Sequence, residues 1–123
     1  MRKRILLVDD SPTILMMEEQ VIQQIEGYEC LTAQNGAQAV ELALAECPDL
    51  ILMDVVMPEM NGFEACKRMR EHARLQHTPV ILVTTHAEEE YVEAGFQGGC
   101  NDYINKPIES AELLPLLHSY LGE

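Results

Sequence analysis

Two stretches, LILM at 50–53 and VILV at 80–83, are apolar at every position. A strand with one wet face alternates apolar and polar residues. A strand that is apolar throughout needs cover on both faces, as strands of a parallel sheet between helices have. Three further strand-like runs lie at 4–8, 29–33 and 101–105, the last reading NDYIN with Tyr103 and Ile104 at its apolar centre. The segments between these runs carry helical spacing. Ser11-Pro12 pairs an N-cap with a proline at the first helical position, Ile14, Met17, Val21 and Ile25 then recur as an inward face, and Gly27 ends the segment. A second helix is expected from about Ala37 with Val40, Ala43 and Leu44 inward, stopping before Pro48. A third follows Asn61-Gly62 with Phe63, Cys66 and Met69 on one face and Lys67, Arg68 and Arg70 elsewhere. A fourth covers about 88–97, before Gly98-Gly99. A fifth follows Ser110 with Leu113, Leu117 and Leu121 inward; Pro115 inside it predicts a kink or a late start. Five βα units without a long linker predict one α/β domain, a doubly wound five-stranded parallel sheet with five helices. In such sheets ligands bind beyond the carboxyl ends of the strands, where the strand order reverses.

Those strand ends carry a distinctive set of groups. The first strand ends in Asp9 and Asp10, the third in Asp54, the fourth in Thr84-Thr85 and the fifth in Lys106-Pro107. Taken singly each has a plain structural reading: a turn before a helix, a strand terminator, a hydroxyl at a strand end, a loop dipeptide. Together they bring three carboxylates, a hydroxyl and an ammonium to one rim. Two like charges about 4 Å apart repel by roughly 4 kcal/mol at an effective dielectric of about 20. One lysine offsets only part of that. A hard divalent cation with oxygen ligands resolves the rest, and Mg²⁺ fits, because it takes one or two carboxylates and leaves positions for water and phosphate oxygens. With the charge balanced, a carboxylate can attack a phosphoryl group to give an aspartyl phosphate. Asp54, alone at the end of a doubly covered strand, is the expected nucleophile. Asp9 and Asp10 are read as metal holders, Lys106 as a point charge and Thr84 as a hydroxyl donor.

The balance of 21 acidic against 8 basic residues, a formal charge of −13, excludes a basic footprint for nucleic acid and suits cations or basic partner surfaces. The start, MRKRILLVDD, has an apolar stretch of only Ile5 to Val8, too short for a signal peptide, and no run is long enough to span a bilayer. Cys30, Cys47, Cys66 and Cys100 form no C-x-x-C pair, and His72, His77, His86 and His118 have no metal-ligand spacing, so the thiols read as single buried thiols in the reducing compartment of a cytoplasmic protein.

ILLVDDSP, PDLILMDVVMPEMNGFE, PVILVTTH and NDYINKP together resemble the receiver domains of two-component response regulators, and the resemblance covers essentially residues 1–123. It implies a flavodoxin-like fold with strand order 2-1-3-4-5, and a phosphoacceptor role for Asp54, loaded from a phosphohistidine on a sensor histidine kinase or a histidine phosphotransfer protein. It implies a signalling phosphoacceptor that assists its own phosphorylation and dephosphorylation, not an enzyme acting on other substrates. Asp10, Asp54 and the backbone carbonyl of Val56 would bind Mg²⁺, with Asp9 assisting through water. Lys106 would contact the phosphoryl group, across a cis bond to Pro107. Thr84 would move onto the phosphoryl oxygens and Tyr103 would change rotamer. A downstream target would then read the face formed by the fourth helix, fifth strand and fifth helix. Val56 and His86 flank the path of an attacking water. An apolar Val56 cannot orient that water, so Val56→Asn is expected to change the phosphoryl lifetime, which decay timing measures.

Other classes fit less well. A phosphatase with an aspartate nucleophile places a second acid two residues on, where this chain has Val56. A flavin-binding module on a similar fold needs a phosphate-cradling loop after the first strand, where DDSPT puts two anions. A receiver that has lost phosphorylation would not keep Asp9, Asp10, Asp54, Thr84 and Lys106 together.

Overall fold

The computed structural model describes residues 3–25, 27–55, 57, 60–84 and 99–122. The elements run β1 (Lys3–Val8), α1 (Pro12–Gln23), β2 (Tyr28–Ala33), α2 (Gly36–Glu46), β3 (Leu50–Asp54), α3 (Gly62–Arg70), a 3₁₀ turn (Ala73–Leu75), β4 (Val80–Thr84), β5 (Asp102–Asn105) and a C-terminal helix (Ser110–Leu121). All strand pairs are parallel, in the order β2-β1-β3-β4-β5, as expected. The expected fourth helix at 88–97 lies outside the described residues, as do Thr85 and His86.

The sheet is covered on both sides. Leu6, Val8, Ile51, Met53 and Leu82 pack with Ala39 and Ala43 of α2 and Ala65, Cys66 and Met69 of α3. Their sequence neighbours Ile5, Leu7, Leu50, Leu52, Ile81 and Val83 pack on the opposite face with Leu15 and Ile22 of α1 and Leu113 and Leu117 of the C-terminal helix. Successive strand side chains point to opposite faces. That alternation explains why β3 and β4 are buried at every position and why their sequences are apolar throughout.

Caps set the helix starts. Ser11 Oγ accepts the N–H of Ile14 at 3.3 Å, Asn35 Oδ1 that of Gln38 at 2.8 Å, and Asn61 Oδ1 that of Glu64 at 3.0 Å. Each such cap is worth about 1 kcal/mol. Gly62, the first residue of α3, lies against the end of β3: a Cβ there would stand 2.6 Å from the Asp54 carbonyl oxygen, so only glycine permits this approach. Its N–H donates to Val55 O at 2.9 Å. Arg70, expected off the Phe63, Cys66 and Met69 face of α3, is a half-buried clamp. Its guanidinium donates to Gly99 O at 2.9 and 3.1 Å, to Leu75 O at 2.6 Å and to Asn101 Oδ1 at 2.9 Å, and so anchors the entry to β5.

Four expectations need correction. Of the thiols expected to be buried, Cys47 is exposed and Cys30 only half-buried. The inward line of α1 is Leu15, Glu18 and Ile22, while Met17, expected inside, is 48% exposed. Ile14 to Met17 are apolar at four consecutive positions, so periodicity alone leaves the helix phase open by one residue. The helix also ends at Gln23, capped by Gln24, before it reaches Gly27. The C-terminal helix starts at Ser110 and continues through Pro115, without the late start. Pro115 is exposed, which leaves its ring facing away from the core.

Candidate functional site

Strand register assembles the site. Val8 stands opposite Met53, so one step on along each strand places Asp9 beside Asp54. Asp54 is opposite Val83, and Thr84 is opposite Asn105, which brings Lys106 to the same rim. The backbone N–H of Lys106 donates to Thr84 O at 2.7 Å and closes that edge. The Lys106–Pro107 peptide bond is cis.

Lys106 Nζ lies 2.9 Å from Asp54 Oδ1 and 3.1 Å from Asp9 Oδ2. Asp9 is nearly inaccessible, and its Oδ1 accepts the Ser11 N–H at 2.9 Å, so this carboxylate is locked between the start of α1 and the lysine. Asp54 and Thr84 are also buried, whereas Asp10 is exposed. One oxygen from each of Asp9, Asp10 and Asp54 fits within a 4.8 Å span. Burial alone would push the Lys106 ammonium down. Hydrogen bonds and charge from Asp54, then from Asp9, outweigh it and hold the ammonium above its ordinary range.

One ammonium thus serves two buried carboxylates with a third beside them. Such a set fits a hard cation. In an octahedral shell with ligands at about 2.1 Å, bound oxygens stand roughly 3 to 4 Å apart, and the 4.8 Å limit on the carboxylate separations is compatible with that. Asp10, the most accessible of the three, is open for direct coordination. The Val56 carbonyl expected to complete the set lies outside the described residues. Tyr103 on β5 is 38% exposed.

Sequence reasoning missed Glu18. It is 3% exposed and lies on the buried face of α1. Burial first, then the negative charge of Asp9, raise its carboxyl to about 8, against a lowering by Lys106 and with a further raise from Asp54. Taking the helix phase through Leu15 and Ile22 would have found it. An acid whose folded value exceeds its ordinary 4.5 binds its proton more tightly in the folded chain. Stability from this group is therefore fully present below about 4.5 and lost as pH rises through about 8, opposite to an ordinary paired carboxylate. Glu18→Gln should accordingly stabilise the protein by about 1–3 kcal/mol at pH 8, with the gain shrinking towards pH 5. Denaturant melts at the two pH values measure this, and a pH-independent difference would refute it.

The response regulator receiver domain family matches residues 5–118. Protein PilH of Pseudomonas aeruginosa is 40% identical over 119 residues, covering 97% of this chain and 98% of that protein. The polar-differentiation response regulator DivK of Brucella anthropi is 38% identical over 123 residues, covering 100% and 99%. The receiver domain of a sensor histidine kinase from Pseudomonas aeruginosa, crystallised with a magnesium ion coordinated in its active site cleft, superposes with a TM-score of 0.90 at 32% identity over the whole of both chains.

Proposed function

The chain belongs to the response regulator receiver domain family of two-component signalling, and from that premise we propose that Asp54 takes the phosphoryl group of a phosphohistidine as one receiver domain spanning residues 1–123. The observation that carries this reading is the buried Asp54 carboxylate, 2.9 Å from Lys106 Nζ and clustered with Asp9 and Asp10. An Asp54 oxygen attacks phosphorus, the bond to the imidazole nitrogen of the donor breaks, and the imidazole departs with its electron pair. Lys106 balances charge on the transferring oxygens, and its second tie to Asp9 fixes the ammonium before the donor arrives. Asp10, Asp54 and the Val56 carbonyl would hold Mg²⁺, with Asp9 assisting through water; the bound ion supplies further charge neutralisation at the phosphoryl oxygens.

The product adds about −1.5 to −2 charge and new acceptor oxygens at the rim. Thr84 moves onto these oxygens, Tyr103 turns from outward to buried, and a downstream protein reads the face containing β5 and the C-terminal helix. The phosphoryl donor is a sensor histidine kinase or a histidine phosphotransfer protein. The reading places this exchange in the cytoplasm; no helix among the described residues is long and apolar enough to cross a membrane.

Acetyl phosphate with Mg²⁺, followed by intact-mass measurement, tests the proposal. A gain of one phosphoryl group that disappears with a chelator is expected. An unmodified protein in the presence of Mg²⁺ would overturn it.

A further inference from the structure

Away from the rim, two cysteines distant in sequence meet. Cys66 of α3 and Cys100, just before β5, share one buried cluster with Met69 and Leu75, and both thiols are free. Arg70 sets their approach. It lies one turn beyond Cys66 on α3, so the two residues are neighbours on the helix surface. Its guanidinium donates to Gly99 O at 2.9 and 3.1 Å, and its stem runs so close that a Cβ on Gly99 would stand 2.9 Å from Arg70 Cγ. Gly99 has φ +104°, which glycine adopts without strain. The chain therefore passes tightly over α3 and delivers the next residue, Cys100, to Cys66. The Cys100 thiol donates a hydrogen bond to the Cys66 sulfur. That bond lowers the Cys66 thiol, against burial and with help from the Arg70 charge, and raises the thiol of Cys100, with burial adding to the rise.

We propose that Cys66 and Cys100 are a peroxide-responsive pair that closes reversibly to a disulfide. A nucleophilic thiolate with a second thiol in contact is the arrangement that turns oxidation into a reversible bridge rather than an irreversible oxyacid. Cys66 is fully covered and Cys100 is 7% exposed, so the pair suits a small oxidant, hydrogen peroxide. The Cys66 sulfur attacks one peroxide oxygen, the O–O bond breaks, and the departing hydroxide takes the Cys66 proton and leaves as water. The Cys100 sulfur then attacks the resulting sulfenic sulfur. The S–S bond forms, the S–O bond breaks, and hydroxide leaves with the Cys100 proton as a second water. Two thiols give two electrons to one peroxide. The product ties α3 covalently to the entry of β5, where Arg70 holds it by hydrogen bonds alone.

The test treats the whole reduced chain with hydrogen peroxide at neutral pH, then denatures it, alkylates the remaining thiols and maps the peptides by mass. A peptide pair joined through Cys66 and Cys100 is expected in the monomer, lighter by two hydrogens and restored to free thiols by dithiothreitol. Cys47→Ser, which removes the exposed thiol, should form the bridge to the same extent. Cys100→Ser should form none and should instead carry a dimedone-trapped sulfenic acid on Cys66. The mapping of the unmodified protein decides the matter without any variant. Recovery of Cys66 and Cys100 unlinked and alkylated after peroxide would overturn the proposal. So would oxidation confined to Cys47, or a bridge that appears only when the chain is oxidised unfolded in urea. Phosphoryl uptake is read independently on the reduced protein, so failure here leaves the role of Asp54 standing.

Discussion

With Asp54 replaced by asparagine, the protein offered acetyl phosphate and Mg²⁺ is expected to gain no mass. An amide is no nucleophile towards phosphorus under these conditions, and the neighbouring acids are badly placed to substitute. Asp9 is held on one oxygen by the Ser11 N–H and on the other by Lys106, and Asp10 stands out in solvent. Asp54→Asn also removes one of the two buried negative charges that share the lysine. Without a divalent ion the variant should therefore be at least as stable as the parent. Added Mg²⁺ should stabilise it less, since a ligand stabilises only in proportion to its affinity for the folded state. Melts with and without the ion, alongside the mass measurement, separate a lost nucleophile from a lost fold. A phosphorylated Asp54→Asn protein would place the acceptor elsewhere.

Lys106→Met should produce the second large effect, and in two parts that respond differently to magnesium. The ammonium lies within 3.1 Å of both Asp9 and Asp54. Its removal leaves buried carboxylates facing each other without a counter-charge, and should cost about 2–4 kcal/mol in the absence of a divalent ion, part of the penalty being relieved by the lysine's residual exposure. The phosphorylation rate should fall by about 10²–10³, the usual scale for losing one pre-placed charge at a developing transition state. Added Mg²⁺ should restore much of the stability, because it too neutralises the acids, but little of the rate. Equal rescue of both would mean that Lys106 serves the fold alone. In the parent the Lys106 ammonium is held above its ordinary range, so its stabilising contribution is fully present below the ordinary value of 10.5 and disappears only as pH rises beyond it. The stability difference between parent and Lys106→Met should therefore be maintained across neutral pH.

Much of this site could be read from the chain because each contributing residue follows an apolar run. The passage from apolar to polar marks a strand end, and parallel strands put all such ends on one rim. Asp9, Asp54, Thr84 and Lys106 were legible for that reason. What the pattern does not contain is the register between strands, which alone decides which carboxylates share the lysine. Asp9, expected as a metal holder, lies within the Asp9–Asp10–Asp54 cluster, and register also gives it the Ser11 N–H and a share of Lys106. The phase of α1 was illegible for a related reason. A block of four apolar residues supports two helix faces almost equally, and the face chosen by packing carries an acid, Glu18, that hydrophobic periodicity would place in solvent. The clamp made by Arg70 was not legible because its guanidinium satisfies carbonyls from distant segments, which no local spacing announces.

The ammonium that joins Asp9 to Asp54 comes from the far end of the chain. During translation the ribosome delivers all three rim acids, just after the first strand and at the end of the third, well before it delivers Lys106. A nascent chain that has paired β1 with β3 therefore holds its acids together with no internal counter-ion, and self-repulsion penalises that intermediate. Arrival of the last strand cancels the penalty in one step. The segment that carries Lys106 thus acts as an electrostatic latch between Asp9, after β1, and Asp54, at the end of β3.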